Sequence, residues 1–413
     1  MLYKKNILTF LVLIFFSTII YFLIIKQIIY PTIIPMIKNG VINVFVDWRV
    51  ILHANICQEK GFDTYINNPC SPWNGKHVYG QILLYIPLIS NFPNFYFIYL
   101  PIILNLIFLY TVINFFKFEN TIGYICLFFI VFSAPVILAI ERANIDIAIF
   151  LLLILISKNK NVLINYLILI LTTISKFYPI CMAIIFLFKK KMKIITINII
   201  FFLLIIFLIL FFQLESLIKI FDNRNQFTGS GIYNFSFNGV LHYLLNFKII
   251  VDNKSYDFIK YLLLVTLLIV PIFLTILFNF KKIFNNNSIL NLFNEDIFEN
   301  RAYILSSTVV LFCFFSFSNF FYREIFFLGL IPWLLKNKHL TENKFINLYF
   351  YILIFKFFIS TVFIFLVMNN IFQSFNIFIV FVKYCFDFYL IAIVLTVFLI
   401  SIKNFLYLQF KNT

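Results

Sequence analysis

The feature that most constrains this chain is hydrophobicity that runs with few interruptions from residue 7 to residue 410. Hydrophobic residues make up 63% of the sequence and charged residues only 12%, whereas a soluble domain is about 45–50% apolar and about 25% charged. So few charges cannot cover the surface of a soluble fold of 413 residues. The composition therefore excludes a soluble enzyme, a disordered chain and a disulfide scaffold, and predicts one multi-span membrane domain over residues 1–413.

Short lysine clusters between the apolar segments predict the orientation of the chain. They lie at 158–160, 189–193, 281–282 and 336–338, and the positive-inside rule puts them on the cytoplasmic side. The same rule explains the net charge of +16 without nucleic acid as a partner. We therefore predict an all-α protein of the inner or plasma membrane, with about 10–12 transmembrane helices and both termini cytoplasmic. The clearest predicted spans are 7–29, 95–116, 121–140, 194–213, 259–280, 345–368 and 384–402, and the two long extracytoplasmic loops are 31–80 and 214–258.

Several apolar pieces are too short to cross a bilayer as single helices at about 1.5 Å per residue. The pieces 162–174 and 177–188 meet at Ser175-Lys176, and the pieces 302–317 and 325–335 flank Arg323. We predict broken helices at both places. Non-helical backbone at membrane depth is tolerated against protein or a water-filled cavity, so both breaks should line a cavity.

Ionisable residues near membrane depth are candidates for function because burying them is costly. Asp47, in Val46-Asp47-Trp48-Arg49, is a candidate general base, since partial burial brings a carboxylate toward the working pH range. The alternative is a solvated Asp47 paired with Arg49. Glu141, Arg142, Asn144 and Asp146 form a second group. They either bind a substrate or anchor a helix terminus, with Asn144 as the N-cap, Asp146 in the first turn and Glu141 paired with Arg142.

Lys176 and Arg323, at the two predicted breaks, suit a phosphate ligand. Arginine offers bidentate hydrogen bonds and lysine a mobile point charge, and Tyr178 and Tyr322 lie beside them. The alternative is that both cations extend to the membrane interface.

Cysteine and histidine spacing predicts no metal site. Cys57 and Cys70 share the first outer loop and can form a disulfide if that face is oxidising. The other four cysteines lie within apolar runs and read as small core residues.

Several motifs resemble those of the glycosyltransferase family 87-like membrane proteins. Glu141-Arg142-Ala143-Asn144-Ile145-Asp146 is similar to the family signature E-R-G-N-x-D, with Ala143 where the family usually has Gly. Ser175-Lys176-Phe177-Tyr178-Pro179 is similar to its K-x-Y-P motif, and Tyr322-Arg323 followed by an apolar run to Pro332 resembles its late Y-R motif. Asp47-Trp48, Asn68-Pro69-Cys70-Ser71-Pro72-Trp73 and Tyr79-Gly80 fit its opening loop, although members often have Tyr-Pro at the last of these.

The resemblance implies a GT-C fold with an extracytoplasmic site and a polyprenyl-phosphate-linked sugar as donor. It also implies that Asp47 is the catalytic base. Arg323, Lys176 and Arg142 would then neutralise the phosphate, Glu141, Asn144 and Asp146 would orient the sugar or Arg142, and Tyr178 and Tyr322 would pack the sugar or the lipid. The acceptor would be a cell-envelope glycan or glycolipid, with no cofactor required and a divalent metal left open. The alternative is a transporter or flippase of a lipid-linked saccharide, which shares broken helices and buried charges.

Overall fold

The computed structural model describes residues 37–38, 41–42, 44–116, 121–188, 192–225, 235–237, 239, 287–293, 296–316, 321–340, 344–368 and 376–411. The predicted spans 7–29 and 259–280 lie outside these residues. The chain divides into two compact units. Unit 1 contains Met1–Leu152, Ile170–Phe177 and Ile206–Phe227, and unit 2 contains Leu153–Leu169, Tyr178–Ile205 and Thr228–Thr413.

Regular secondary structure among the described residues is helical apart from one antiparallel pair of two-residue strands, β1 (Ile37–Lys38) and β2 (Val41–Ile42). The strands and the first helices belong to unit 1. The helices are α1 (Val46–Glu59), a 3-10 helix (Gln81–Leu84), a π-helical turn (Phe95–Tyr99) that continues as α2 (Leu100–Phe115), α3 (Thr121–Val131) and α4 (Ala134–Arg142).

Three helices divide their residues between the two units, namely α5 (Ile145–Lys158), α6 (Val162–Ser175) and α7 (Met192–Asn225). Unit 2 continues with two long 3-10 helices, Tyr178–Phe188 and Phe321–Leu330, both of which pack against α9. Its α-helices are α8 (Asn287–Leu290), α9 (Phe298–Phe315), α10 (Ile331–Leu340), α11 (Lys344–Met368) and α12 (Asn376–Lys411).

The predicted multi-span membrane character is supported by helix length and composition. Among the described residues, four helices are long and apolar enough to cross a bilayer: Phe95–Phe115, Lys193–Asn223, Phe345–Ile364 and Val380–Gln409. The bent pair Gly123–Val131 and Ala134–Arg142 makes a fifth if the pair is one span. Along α7, large apolar side chains such as Phe207, Phe211 and Phe212 are exposed, which is typical of a lipid-facing surface. The finer count of 10–12 spans stays a prediction.

The bend of 48° between α3 and α4 has a cause in the sequence. Pro135 lies in the first turn of α4, where its missing N–H is tolerated, whereas inside a continuous helix it would break the hydrogen-bond ladder. Ser133, between the two helices, is buried, and its hydroxyl donates to the carbonyl of Ile130 at 2.6 Å. A backbone carbonyl at the C-terminus of α3 is therefore hydrogen-bonded by a side chain within the bend.

The predicted break at Ser175-Lys176 is confirmed. Helix α6 ends at Ser175 and a 3-10 helix begins at Tyr178. In a continuous α-helix the carbonyl of Ser175 would accept from residue 179, but Pro179 has no N–H to donate. The α-helix therefore ends where the sequence predicts.

The second predicted break differs in detail from the expectation. Helix α9 ends at Phe315, and Arg323 lies within the 3-10 helix Phe321–Leu330 rather than between two helices. The interruption is thus confirmed, but the arginine belongs to a regular, tightly wound segment.

Helix α7 continues beyond the predicted end of its span at residue 213, to Asn225. Residues 214–225 therefore lie in a helix, not in the irregular loop 214–258. Two contacts stabilise the extension: Lys219 pairs with Glu215 one turn earlier and with Asp63 of the first loop, and Ile220 is buried with Tyr65. Likewise, α12 extends on both sides of the predicted span 384–402.

Candidate functional site

The N-terminus of α1 lies against the C-terminus of α4 in unit 1. The backbone N–H of Phe45, in the left-handed conformation (φ 62°), donates to the carbonyl of Glu141 at 2.8 Å. Asp47 follows in the first turn of α1, where the helix dipole favours an acidic side chain. The indole N–H of Trp48 donates to the carbonyl of Tyr96 at 2.8 Å and fixes the other side of α1.

The junction between α4 and α5 is a single left-handed residue, Ala143, with φ 42°. It turns the chain so that the N–H of Asn144 donates to the carbonyl of Ala139 at 3.1 Å. The side chain of Asn105 donates to the carbonyl of Ile140 at 3.0 Å, so this carbonyl near the C-terminus of α4 also has a hydrogen-bond partner. Glycine adopts this conformation without strain, whereas the Cβ of Ala143 makes it costly.

Asn144 performs two tasks at this junction. Its side-chain oxygen accepts from the backbone N–H of Asp146 at 2.9 Å, which is the N-cap predicted for α5. Its side-chain nitrogen donates to Oδ2 of Asp47 at 2.5 Å. The cap that begins α5 therefore also orients the candidate base.

Asp47 also accepts from Nε of Arg142, at 3.0 Å from its Oδ1. This ion pair between Asp47 and Arg142 belongs to neither alternative predicted from the sequence. Of the helix-terminus alternative, Asn144 as the N-cap and Asp146 in the first turn are confirmed. The side chains of Asp47 and Arg142 retain 13% and 12% of their exposure, so this ion pair lies at the accessible edge of the group. Glu141 is half-buried beside it and contributes its backbone carbonyl to Phe45.

The buried half of the group is the ion pair between Asp146 and Lys176, with side-chain exposures of 0% and 3%. Nζ of Lys176 also lies 3.5 Å from the side-chain oxygen of Asn144 and 5.3 Å from the ring centroid of Tyr79. The first loop, the α4–α5 junction and the break after α6 thus meet at one place. We refer to Asp47, Arg142, Asn144, Asp146 and Lys176 together as the Asp47 cluster.

Gly80 closes this arrangement against the end of α6. Its N–H donates to the carbonyl of Ser175 at 2.9 Å, the acceptor that Pro179 leaves without an intrahelical partner. A Cβ at position 80 would lie 1.5 Å from the carbonyl oxygen of Ile174. The contact therefore requires glycine at position 80.

The loop that carries Tyr79 is held by a disulfide between Cys57 and Cys70, as the sequence allowed. Within the loop, the hydroxyl of Tyr65 donates to the carbonyl of Tyr79 at 3.2 Å. His77 packs edge-on against both tyrosines, and burial lowers the pKa of its imidazole to about 4. The histidine is therefore neutral at pH 7 and acts as a core residue.

The remaining predicted site residues belong to unit 2. The guanidinium carbon of Arg323 lies 5.0 Å from the ring centroid of Tyr178, a cation–π distance. Phe326 contacts the same ring edge-on at 5.8 Å, and Tyr322 is buried.

No protein-family model, curated protein or solved structure matches this chain. The resemblance to family 87 glycosyltransferases therefore rests on the motifs alone. Among the described residues, no three His, Cys, Asp or Glu side chains are grouped to hold a metal ion.

A second charged cluster in unit 2 escaped the sequence analysis. Glu324, Lys356, Lys383 and Asp387, here called the quartet, have side-chain exposures of 0–1%. Lys356 and Lys383 lie within apolar spans of α11 and α12, and a lysine in such a span is the signal that could have revealed the quartet. The nitrogen–oxygen distances are 3.0 Å for Lys356–Glu324, 2.5 Å for Lys356–Asp387, 2.8 Å for Lys383–Asp387 and 3.7 Å for Lys383–Glu324.

Proposed function

We propose that the protein is a membrane glycosyltransferase of the GT-C type. It would move a mannose-like hexose or a pentose from a polyprenyl-phosphate donor to a cell-envelope glycan or glycolipid. The observation that carries the proposal is the position of Asp47, a carboxylate held by two donors at the accessible edge of an otherwise buried charged cluster. A general base must be held in a fixed orientation and still be reached by the acceptor hydroxyl.

In the proposed reaction, Asp47 accepts the proton of the acceptor hydroxyl as that oxygen attacks the anomeric carbon. The bond between the anomeric carbon and the lipid phosphate oxygen breaks, and its electron pair leaves with the phosphate. Attack and departure take place on opposite faces of the sugar, so the configuration inverts. A carboxylate oxygen has more than one lone pair, so Asp47 can accept this proton while Arg142 and Asn144 hold it.

The cations have different parts in this proposal. A guanidinium carries several N–H donors, so Arg142 can hold Asp47 and also contact the donor phosphate. Lys176 is almost fully buried against Asp146, so we assign it a positioning part: it holds the Asn144 cap, which in turn orients Asp47. Arg323, which lies beside Tyr178, is the proposed partner of the donor phosphate, because preorganised positive charge stabilises the charge that develops on the leaving group.

The disulfide supports an extracytoplasmic site. Disulfides persist in oxidising compartments and are rare in the cytosol, and Cys57 lies in the helix that carries Asp47. Nucleotide sugars are not available on that face, so a lipid-linked donor fits. Cysteine-accessibility labelling tests this: position 142 should react from outside, and positions 190 and 281 from inside.

The test of the proposed activity is Asp47→Asn. Transfer from a synthetic polyprenyl-phosphate mannose to a membrane extract should fall by about 10²–10⁴-fold, the usual contribution of a general base. The matched control is Asp63→Asn, which also breaks an ion pair of the first loop, with Lys219 at 2.8 Å, but should leave transfer unchanged. An amide at position 47 also faces the donating nitrogen of Asn144, so the thermal melting temperature of each variant is measured alongside.

Full transfer by a folded Asp47→Asn variant would remove Asp47 as the base and make Glu141 and Asp146 the next candidates. Absence of transfer by the unchanged protein, tested with hexose and pentose donors, would contradict the glycosyltransferase proposal itself.

One observation favours the second candidate function, a transporter or flippase of a lipid-linked saccharide. Lys356 lies near the middle of the span Phe345–Ile364, and charges at such depth are typical of transport pathways. A transporter has no acceptor hydroxyl to deprotonate. Movement of a fluorescent polyprenyl-phosphate sugar across vesicles, without transfer to any acceptor, would therefore select this function.

A further inference from the structure

The charges of the quartet balance one another within a buried group. Two lysines face two carboxylates, and each partner is buried. Placing four charges in an apolar interior costs several kcal/mol for each ion, and replacing buried ion pairs with apolar residues is often neutral or stabilising. A buried network is therefore weak evidence for stability, and its best-attested use is to fix the register of the elements that it joins.

The quartet joins three elements at Glu324. Lys356 of α11 donates to Glu324, and Ser360, one turn later on α11, donates to its other oxygen at 3.3 Å. Asp387 of α12 in turn forms an ion pair with Lys356. The polar contacts therefore hold the 3-10 helix Phe321–Leu330 to α11, and hold α11 to α12.

The geometry of the 3-10 helix transmits this constraint to Arg323. Residues three apart lie in one row, and neighbouring residues are rotated by about 120°. Glu324 therefore lies in one row. Arg323, Phe326 and Gly329 lie in a second row. The second row packs elsewhere: Phe326 contacts Tyr178, and a Cβ at Gly329 would lie 1.9 Å from the hydroxyl of Ser306 in α9.

We propose that Glu324 is a positioning residue, and that its ion pair with Lys356 fixes the rotation of the 3-10 helix so that Arg323 meets the donor phosphate beside Tyr178. The inference rests on the proposed function for the part of Arg323. It assigns to Glu324 and Lys356 a role in donor recognition without contact to the donor.

Two double variants separate positioning from general stability. Glu324→Met/Lys383→Met leaves the neutral pair Lys356–Asp387 and releases the 3-10 helix from α11. The control, Asp387→Leu/Lys383→Met, leaves the neutral pair Lys356–Glu324 and keeps that helix attached. Both remove one carboxylate and the same lysine, and both put apolar side chains in their place, so neither leaves an unpaired buried charge.

The first readout is the affinity for fluorescent polyprenyl-phosphate mannose. We expect the Glu324 double variant to bind about 10-fold more weakly, the effect of losing the alignment of about one charge-assisted hydrogen bond, and the control to bind as the parent does. In an Arg323→Ala background the Glu324 double change should have no further effect on binding, because the residue that it positions is gone.

The second readout is independent of any ligand. Hydrogen exchange of the backbone amides of residues 321–330 should be faster in the Glu324 double variant and unchanged in the control. Equal exchange or equal loss of affinity in the two variants would show that the quartet only stabilises unit 2 and would overturn the inference. If the parent protein binds no polyprenyl-phosphate sugar, the proposed function fails, while the exchange comparison still decides whether Glu324 fixes the segment that carries Arg323.

Discussion

The Asp47 cluster of unit 1 and the quartet of unit 2 contain the same charges, two carboxylates and two cations, but they differ in their access to solvent. The quartet is buried throughout, with exposures of 0–1%. In the Asp47 cluster, Asp146 and Lys176 are equally buried, whereas Asp47 and Arg142 keep 13% and 12% of their exposure. Chemistry with an outside molecule requires an accessible edge, and of these two clusters the Asp47 cluster has one.

The difference teaches that buried charge alone does not identify a catalytic site. In the quartet each charge is paired with another member of the quartet, which suits a structural role. In the Asp47 cluster the inner ion pair is buried, while the outer one stays accessible to a ligand. The proposed base belongs to this outer ion pair.

The largest predicted effect on stability comes from breaking the quartet with one substitution. Asp387→Asn leaves two buried lysines facing one carboxylate, which should destabilise the fold by about 3–5 kcal/mol. Asp47→Asn should cost about 1–2 kcal/mol, because Arg142 retains partial contact with water. The midpoint of unfolding in sodium dodecyl sulfate measures both.

The control for that measurement is Asp222→Asn, an exposed residue on α7, which should leave the midpoint nearly unchanged. Equal losses for Asp387→Asn and Asp47→Asn would remove the distinction between a closed network and an accessible one.

An intermediate effect on stability should follow from lowering the pH, because acid protonates His77 in the loop whose Tyr79 contacts Lys176 of the Asp47 cluster. The pKa of His77 is about 4 in the folded protein and about 6.5 when unfolded. The unfolded chain therefore binds more protons between these values, and stability falls as the pH drops through this window, by about 2 kcal/mol at pH 5. The unfolding midpoint at pH 7 and pH 5 measures this loss.

His77→Gln is the control for the acid effect. The variant should lose less stability between the two pH values than the parent does. The remaining loss is assigned to His53. Burial and the charge of Arg49 lower the pKa of this imidazole to about 4. The same loss in parent and variant would contradict a buried, neutral His77.

The smallest predicted effect sharpens the account of the α4–α5 junction. Ala143→Gly removes the strain of a left-handed alanine, so it should stabilise the protein by about 0.5–1 kcal/mol. Ala139→Gly, in the helix α4 that precedes the junction, is the matched control and should destabilise the protein by a similar amount. A midpoint that falls for both variants would show that residue 143 gains nothing from glycine.

Local features were predictable from the sequence. Asn144 caps α5, Asp146 lies in its first turn, and α6 ends before the proline at 179. Each depends on residues within a few positions of one another, where capping and proline geometry act directly.

Contacts between distant segments were not predictable in the same way. The pairing of Asp47 with Arg142 follows from the backbone contact between Phe45 and Glu141, which no local pattern records. The quartet combines residues of three helices. The sequence shows two lysines within apolar segments and the spacing of Lys383 and Asp387, one helical turn apart, but not the contact with Glu324. The hydropathy of the sequence predicts the end of this span at residue 213, whereas α7 continues to Asn225 because its last turns are stabilised by contacts with the first loop.

The two long 3-10 helices change how many residues are needed to cover a given thickness of bilayer. A 3-10 helix rises about 2.0 Å per residue against about 1.5 Å for an α-helix. The 11 residues of Tyr178–Phe188 therefore extend over about 22 Å, a depth for which an α-helix needs about 15 residues. Since the hydrocarbon core is about 30 Å thick, such a segment reaches most of the way across it with fewer residues than any search for spans by length expects.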